Sequence, residues 1–200
     1  MAKTQSKYSE YKVKIETLGA HGQYGPTGQG WGIEQNPLEL AAFLVKLHDI
    51  GIRTGDASKI LEVGIVTGGL YRLMRNIMKW DVYIVDNKDA EPYIIKDHHY
   101  RGEVTVDAAV KWAKRKGPFG LVFIDIDRPY EVVKNTYDLY SPLATRLVAI
   151  HGVCGLHGYA GTKQLHDELD AEAAKPGSKL VVGRAIAQTD KKSGIGWVIK

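Results

Sequence analysis

The chain has 200 residues, 44% hydrophobic and 25% charged; that is enough for one domain with a sizeable core and too apolar for a disordered chain. Lys and Arg number 27 against 23 for Asp and Glu, a formal net charge of +4. The densest basic run is only KWAKRK at 111–116, so nucleic acid, which calls for a concentrated basic stripe, is not an expected partner. The single cysteine, Cys154, excludes a disulfide framework and a multi-cysteine zinc site. No stretch approaches the roughly 18–20 apolar residues of a membrane span, and the start MAKTQSKYSEYKVKIE lacks the apolar core of a signal peptide. The expected setting is soluble and cytoplasmic, with no membrane partner.

Residues 19–32, GAHGQYGPTGQGWG, carry six glycines in fourteen positions and cannot hold a regular helix. Residues 1–35 are read as an N-terminal Gly-rich segment, a flexible linker or a lid, ahead of a single domain over 36–200. From Asn36 the pattern is regular. NPLELAAFLVKLHDIG has an Asn cap, Pro at the first helical position and apolar residues at helical spacing (Leu40, Phe43, Leu44, Leu47), with Gly51 as a stop. KILEVGI (59–65) predicts a strand, LYRLMRNIMKW a helix, and DVYIVD (81–86) a second strand. VDAAVKWAKRK predicts a helix, GPFGLVFIDID a turn and an apolar strand, PYEVVKNTYDLYS a helix, and RLVAIHGV a further buried strand. GTKQLHDELDAEAAK predicts the last helix, stopped by Pro176-Gly177. KLVVGRAIA and GIGWVIK, joined by a short turn, predict a closing hairpin. Alternating helices and wholly apolar strands indicate a mostly parallel sheet covered on both faces, that is, a doubly wound α/β fold.

Ligands of such sheets bind at the carboxyl ends of the strands, near the switch in strand order. The first strand ends in LEVGIVTGG, with Glu62, Gly64, Thr67, Gly68 and Gly69; the second in Asp86-Asn87. Gly102 and Glu103 precede the helix at 106–116. The later strands end in Asp125 and Asp127, and in His151 and Gly152. A dinucleotide fingerprint starting at Gly64 needs glycine where Val66 stands, and no Gly-Lys-Ser/Thr phosphate loop is present. What stands is E-x-G-x-x-x-G, Glu62 to Gly68, followed one strand later by Asp86. That carboxylate can accept both hydroxyls of a ribose, or can cap a helix.

This combination resembles the class I S-adenosylmethionine-dependent methyltransferases. WGIEQNPLEL, FIDIDRPYEVVKNTYDLYSPLA and GIGWVIK look like the cephalosporin-hydroxylase-like and sugar O-methyltransferase branch. The resemblance implies a Rossmann-like, doubly wound seven-stranded sheet, mostly parallel and ending in an antiparallel hairpin. It implies S-adenosyl-L-methionine as cofactor and a small-molecule or sugar hydroxyl as acceptor; the apolar helix faces suit a monomer and a homodimer equally. Gly64 and Gly68, with Thr67 between them, would cradle the cofactor, and Glu62 would lie near its methionine amino group. Asp86 and Asn87 would meet the ribose, Glu103 would border the adenine, and Gln35 and Asp125 would complete the site. Gln35 reads equally as a residue that simply opens its helix.

Two departures stand out. Metal-dependent members hold Mg²⁺ with the fourth-strand Asp, matched here by Asp125, and an acidic pair after the fifth strand, where this chain has His151-Gly152. With the partner carboxylate missing at Gly152, Mg²⁺ binding is expected to be weak or absent. Arg128 also replaces the histidine of the F-I-D-G-D-H-S-Y string. A side chain must then take the acceptor's proton: His151, or Asp125 or Asp127. The alternative is a degenerate binding protein that keeps the fold and the cofactor.

Overall fold

The computed structural model describes residues 2–18, 32–33, 35–55, 58–64, 68–88, 94–126, 129–155, 160–188 and 193–200. The chain opens with a helix that its periodicity does not announce, α1 (Ala2–Leu18). The inward stripe of α1 is Tyr8, Tyr11, Ile15 and Leu18, a narrow seam half made of tyrosines, and Tyr11 and Ile15 are buried in the main core. It packs along α2 (Pro37–Asp49). There the expected cap is in place, with Asn36 accepting from Leu38 N at 2.9 Å and Pro37 opening the helix. Ile15→Ala is expected to cost about 2–4 kcal/mol, the usual toll of a fully buried large-to-small change. The check is the midpoint of urea unfolding; an unshifted midpoint would detach α1 from the core.

β1 (Lys59–Val63) leads to α3 (Gly69–Arg72), which starts from Gly68 at φ 73° and continues as a π-helical stretch, Leu73–Ile77. β2 (Asp81–Asp86) follows, then a short strand β3 (His99–Arg101), α4 (Asp107–Lys116) and β4 (Phe119–Ile124). α5 (Tyr130–Tyr140), β5 (Ala144–His151) and α6 (Ala160–Ala173) precede the final hairpin, β6 (Val181–Ala185) and β7 (Ile195–Ile199). The sheet order is β3-β2-β1-β4-β5-β7-β6, parallel through β5 and antiparallel at β7 and β6. The strand order reverses between β1 and β4, so the crevice of this sheet lies above those two strands.

Strand side chains alternate between faces, and the two core clusters follow that alternation. Ile60, Val82, Ile84, Leu121, Phe123, Leu147 and Ala149 pack with α1, α2 and the helix after β1. Leu61, Val63, Val85, Val122, Ile124, Val148 and Ile150 pack on the opposite face with α4, α5 and α6. The same period assigns a face to every polar strand end. Glu62, Asp86, Asp125 and His151 continue the first series, so all four belong to the α2 face. Ser193 joins them by the same count back from Ile195. Among the described residues, no helix is long and apolar enough to cross a membrane.

Candidate active site

Strand register gathers the candidate residues into one row. Val63 pairs with Val85 on one side and with Ile124 on the other, and Ile124 pairs with Ile150. One residue further toward the carboxyl ends, the row reads Asp86, Gly64, Asp125, His151. Gly64 is the one member without a side chain, so none stands between the two aspartates in the row, and Glu62 comes two residues earlier on the same face. The backbone is tight at that glycine. Gly64 lies at φ +90°, its N–H donates to Val85 O at 2.9 Å, and the neighbouring Asp125 N donates to Val63 O at 2.8 Å. A Cβ on Gly64 would sit 2.1 Å from the Asp125 carbonyl oxygen.

Glu62 is buried, and its Oε2 has no hydrogen-bond partner among the described residues. Desolvation pushes its carboxyl well above the ordinary carboxylate range, and the charges of Asp125 and Asp86 push the same way. Gln35, also buried, leaves its Oε1 without a partner among the described residues while its Nε2 donates to Asp125 Oδ2 at 2.6 Å. Unsatisfied buried acceptors are costly. Two of them beside a pair of acidic strand ends suit a cation carrying several N–H donors.

On the other side of Asp125, its Oδ1 faces His151 Nδ1 at 2.9 Å, which places the ring proton on Nδ1. His151 Nε2 lies 3.0 Å from Ser193 Oγ, and that hydroxyl lies 3.3 Å from Glu39 Oε2. Ser193 has one hydroxyl proton to give. It goes to Nε2 when that nitrogen is bare, and to Glu39 when Nε2 carries a proton and donates to Oγ. His151 is 3% exposed, so the imidazole that sequence reasoning offers as a base sits inside the row rather than on its rim.

The remaining sequence candidates spread outward. Asp86 Oδ1 accepts from Lys88 N at 2.6 Å, across the bend that follows β2. Asn87 Nδ2 donates to Glu103 Oε1 at 3.1 Å, which joins two of the candidates on an exposed rim. Gly68 starts α3 in a left-handed conformation. Thr67, Asp127, Arg128 and most of the Gly-rich segment lie outside the described residues. Sequence reasoning missed Glu39 and Ser193. Glu39 stands three residues after the Asn36 cap, the place from which an acid normally reaches back to the cap. Here its carboxylate reaches the hairpin instead, accepting from Ala187 N at 3.0 Å and Gly194 N at 2.9 Å. A buried acid on the apolar side of an amphipathic helix was the one available signal.

Among the described residues, the donor set does not fit Mg²⁺, which asks for near-octahedral oxygen ligation. Both oxygens of Asp125 are turned to protein partners, and Gly152 supplies no carboxylate. No group of three or more His, Cys, Asp or Glu suited to a metal occurs among the described residues.

No protein-family model and no curated protein matches the chain. Solved structures match its fold. MycE, a methyltransferase from the mycinamycin biosynthetic pathway solved with Mg and S-adenosylhomocysteine, aligns with a TM-score of 0.61 at 16% identity over 97% of this chain. This chain spans about half the length of MycE, 53%. The O-methyltransferase TomG from Streptomyces achromogenes, solved with S-adenosylmethionine, aligns with a TM-score of 0.54 at 15% identity, over 98% of this chain and 88% of that one. An O-methyltransferase from Bacillus cereus, in complex with S-adenosylhomocysteine, gives 0.52 at 16% identity over 99% and 91%. The architecture is therefore the Rossmann-like fold of the class I methyltransferases, including the reversed β5-β7-β6 end.

Proposed function

We propose that this chain is an S-adenosylmethionine-dependent O-methyltransferase acting on a hydroxyl of a small molecule or sugar. The observation that carries the reading is the row at Gly64, where buried Glu62, whose Oε2 has no hydrogen-bond partner among the described residues, stands on the same face as Asp86 and Asp125 at the switch point of a methyltransferase fold. A cofactor bearing an ammonium group and a ribose suits it on both counts. Glu62 and the Gln35 Oε1 would receive the ammonium donors, and Asp86, one strand over, would accept from the ribose hydroxyls. Gly64 and Gly68 would let the backbone approach, and the Asn87–Glu103 pair would edge the adenine. Solved neighbours of the same fold hold S-adenosylmethionine or S-adenosylhomocysteine, in keeping with this assignment.

Bound S-adenosylmethionine supplies an activated methyl group for in-line displacement by an acceptor oxygen. That oxygen must lose its proton, and the hydrogen-bonded Asp125–His151 pair can take it at Nε2 once the Ser193 hydroxyl turns its own proton from Nε2 to Glu39. Asp125 holds the imidazole through Nδ1, so a proton gained at Nε2 is balanced by the adjacent carboxylate. The acceptor would be selected by the loops above the strand ends, which this fold varies independently of its sheet.

Isothermal titration with S-adenosylhomocysteine tests the reading. Saturable one-to-one binding that is weakened by Asp86→Ala is the expected result. No binding at about millimolar ligand, a free energy weaker than about −4 kcal/mol, would overturn it.

A further inference from the structure

We infer that Ser193 and Glu39 are positioning residues of this site, holding the His151–Asp125–Gln35 row in place with protein groups alone, where a divalent cation would otherwise organise the same carboxylate. The inference rests on the function proposed above and adds to it the part played by the closing hairpin.

The polar contacts form a ring, in which the single Ser193 hydroxyl proton serves either His151 or Glu39. Gln35 Nε2 donates to Asp125, Asp125 receives His151 Nδ1, His151 Nε2 meets Ser193 Oγ, and Ser193 Oγ reaches Glu39. Gln35 and Glu39 are four residues apart at the start of α2, so one turn of backbone closes the ring. Three strands and one helix are thus tied to each other at the level of the site. Its buried members Asp125, His151 and Glu39 take their partners from within this network and from the hairpin amides, which favours a single arrangement of the row.

Glu39 is 1% exposed, and a buried carboxylate needs several donors. It has them from both arms of the hairpin: Ala187 N at 3.0 Å on the β6 side, and Ser193 N at 3.4 Å and Gly194 N at 2.9 Å on the β7 side. The root of the hairpin is pinned to α2, and Ser193 is carried at a fixed distance from Nε2. The backbone bonds alone would serve as a structural clamp. The Ser193 hydroxyl, facing the imidazole and Glu39 together, is what extends the clamp into the site.

The test uses the intact chain. Long-range ¹H–¹⁵N spectra report each histidine ring nitrogen, with His151 identified by its loss in His151→Gln. In Ser193→Ala, which keeps the backbone bond to Glu39, the His151 Nε2 resonance is expected to move, and Ser193→Thr is expected to return it by restoring the hydroxyl. Titration with S-adenosylhomocysteine should give the same affinity within about twofold in excess Mg²⁺ and in EDTA, under 0.5 kcal/mol apart. Binding with an unmoved Nε2 resonance in Ser193→Ala would overturn the positioning role. An affinity about tenfold or more tighter with Mg²⁺ would overturn the replacement of the metal. No binding in either buffer would overturn the cofactor reading itself, and with it the catalytic meaning of the ring, whatever the spectra show. Glu39→Gln is kept as a second variant, because placing an amide against three N–H donors threatens the hairpin as well as the site.

Discussion

Glu62→Gln is expected to abolish most cofactor binding and, at the same time, to make the ligand-free chain more stable near neutral pH. The two effects have one cause. Burial, with Asp125 and Asp86 close by, raises the Glu62 carboxyl well above its ordinary value of 4.5. The folded chain therefore holds this proton where the unfolded chain has released it. A group of this kind contributes its full stability below the unfolded value, and the contribution drains away as the pH rises toward the folded value. The wild-type chain should lose stability along that limb, and a glutamine, neutral at every pH, should flatten it. A cationic donor against Glu62 reverses the balance, because it favours the carboxylate. Binding of S-adenosylhomocysteine should then release a proton from Glu62, visible as a dependence of the binding enthalpy on the ionisation enthalpy of the buffer. Removing a charged hydrogen bond of about 2 kcal/mol or more corresponds to about thirtyfold or more in affinity. Calorimetry and thermal unfolding between pH 5 and pH 8, ranges in which only the wild type should slope for this reason, decide the matter. A variant that binds as tightly as wild type would remove Glu62 from the ligand's contacts. One that melts lower at pH 7 would mean the carboxylate has a stabilising partner.

What was legible in the sequence was local or periodic. The Asn36-Pro37 cap, the apolar strand at 119–124 and the Pro176-Gly177 stop each declare themselves within a few residues, and the closing hairpin follows from two β-rich runs around one short turn. α1 was hidden because half of its inward stripe is tyrosine, and β3 because three residues carry no pattern. The same division runs through the site. Glu62, Gly64, Asp86, Asp125 and His151 could be picked out because a parallel sheet presents its strand ends on one side. Their common row needs the register, which depends on pairings between residues such as Val63 and Ile124 that no local pattern encodes. Ser193 and Glu39 were out of reach for that reason. Ser193 lies 42 positions from the histidine it meets and 154 from the carboxylate it reaches. The sequence also offered Glu39 a nearer job, at the capping-box position of α2, and the hairpin amides outcompeted it. His151 was found by position, but its burial between two partners belongs to the packed structure alone.

Gly64→Ala is expected to damage both the fold and the site, and by more than its backbone conformation alone would explain. At φ +90° an alanine carries left-handed strain of about 1–2 kcal/mol. Its Cβ would also lie 2.1 Å from the Asp125 carbonyl oxygen and 2.8 Å from Ile126 Cγ2. The carbonyl is backbone and cannot rotate aside, so the β1–β4 seam must open, adding about 1–3 kcal/mol. A total of roughly 3 kcal/mol lowers the melting temperature of a chain this size by about 6–12 °C. Opening that seam moves Asp125, and with it Gln35 and His151, so S-adenosylhomocysteine binding should fall beyond detection even below the melting range. Gly55→Ala is the matched control, since Gly55 has φ +80° but nothing within 4 Å of the added carbon. It should show the strain alone, about 1–2 kcal/mol, with binding intact. Equal losses of stability in the two variants would mean that Gly64 supplies only a left-handed backbone. A larger loss at Gly64, accompanied by loss of binding, would mean that the close approach of β1 to Asp125 is what sets the geometry of the row.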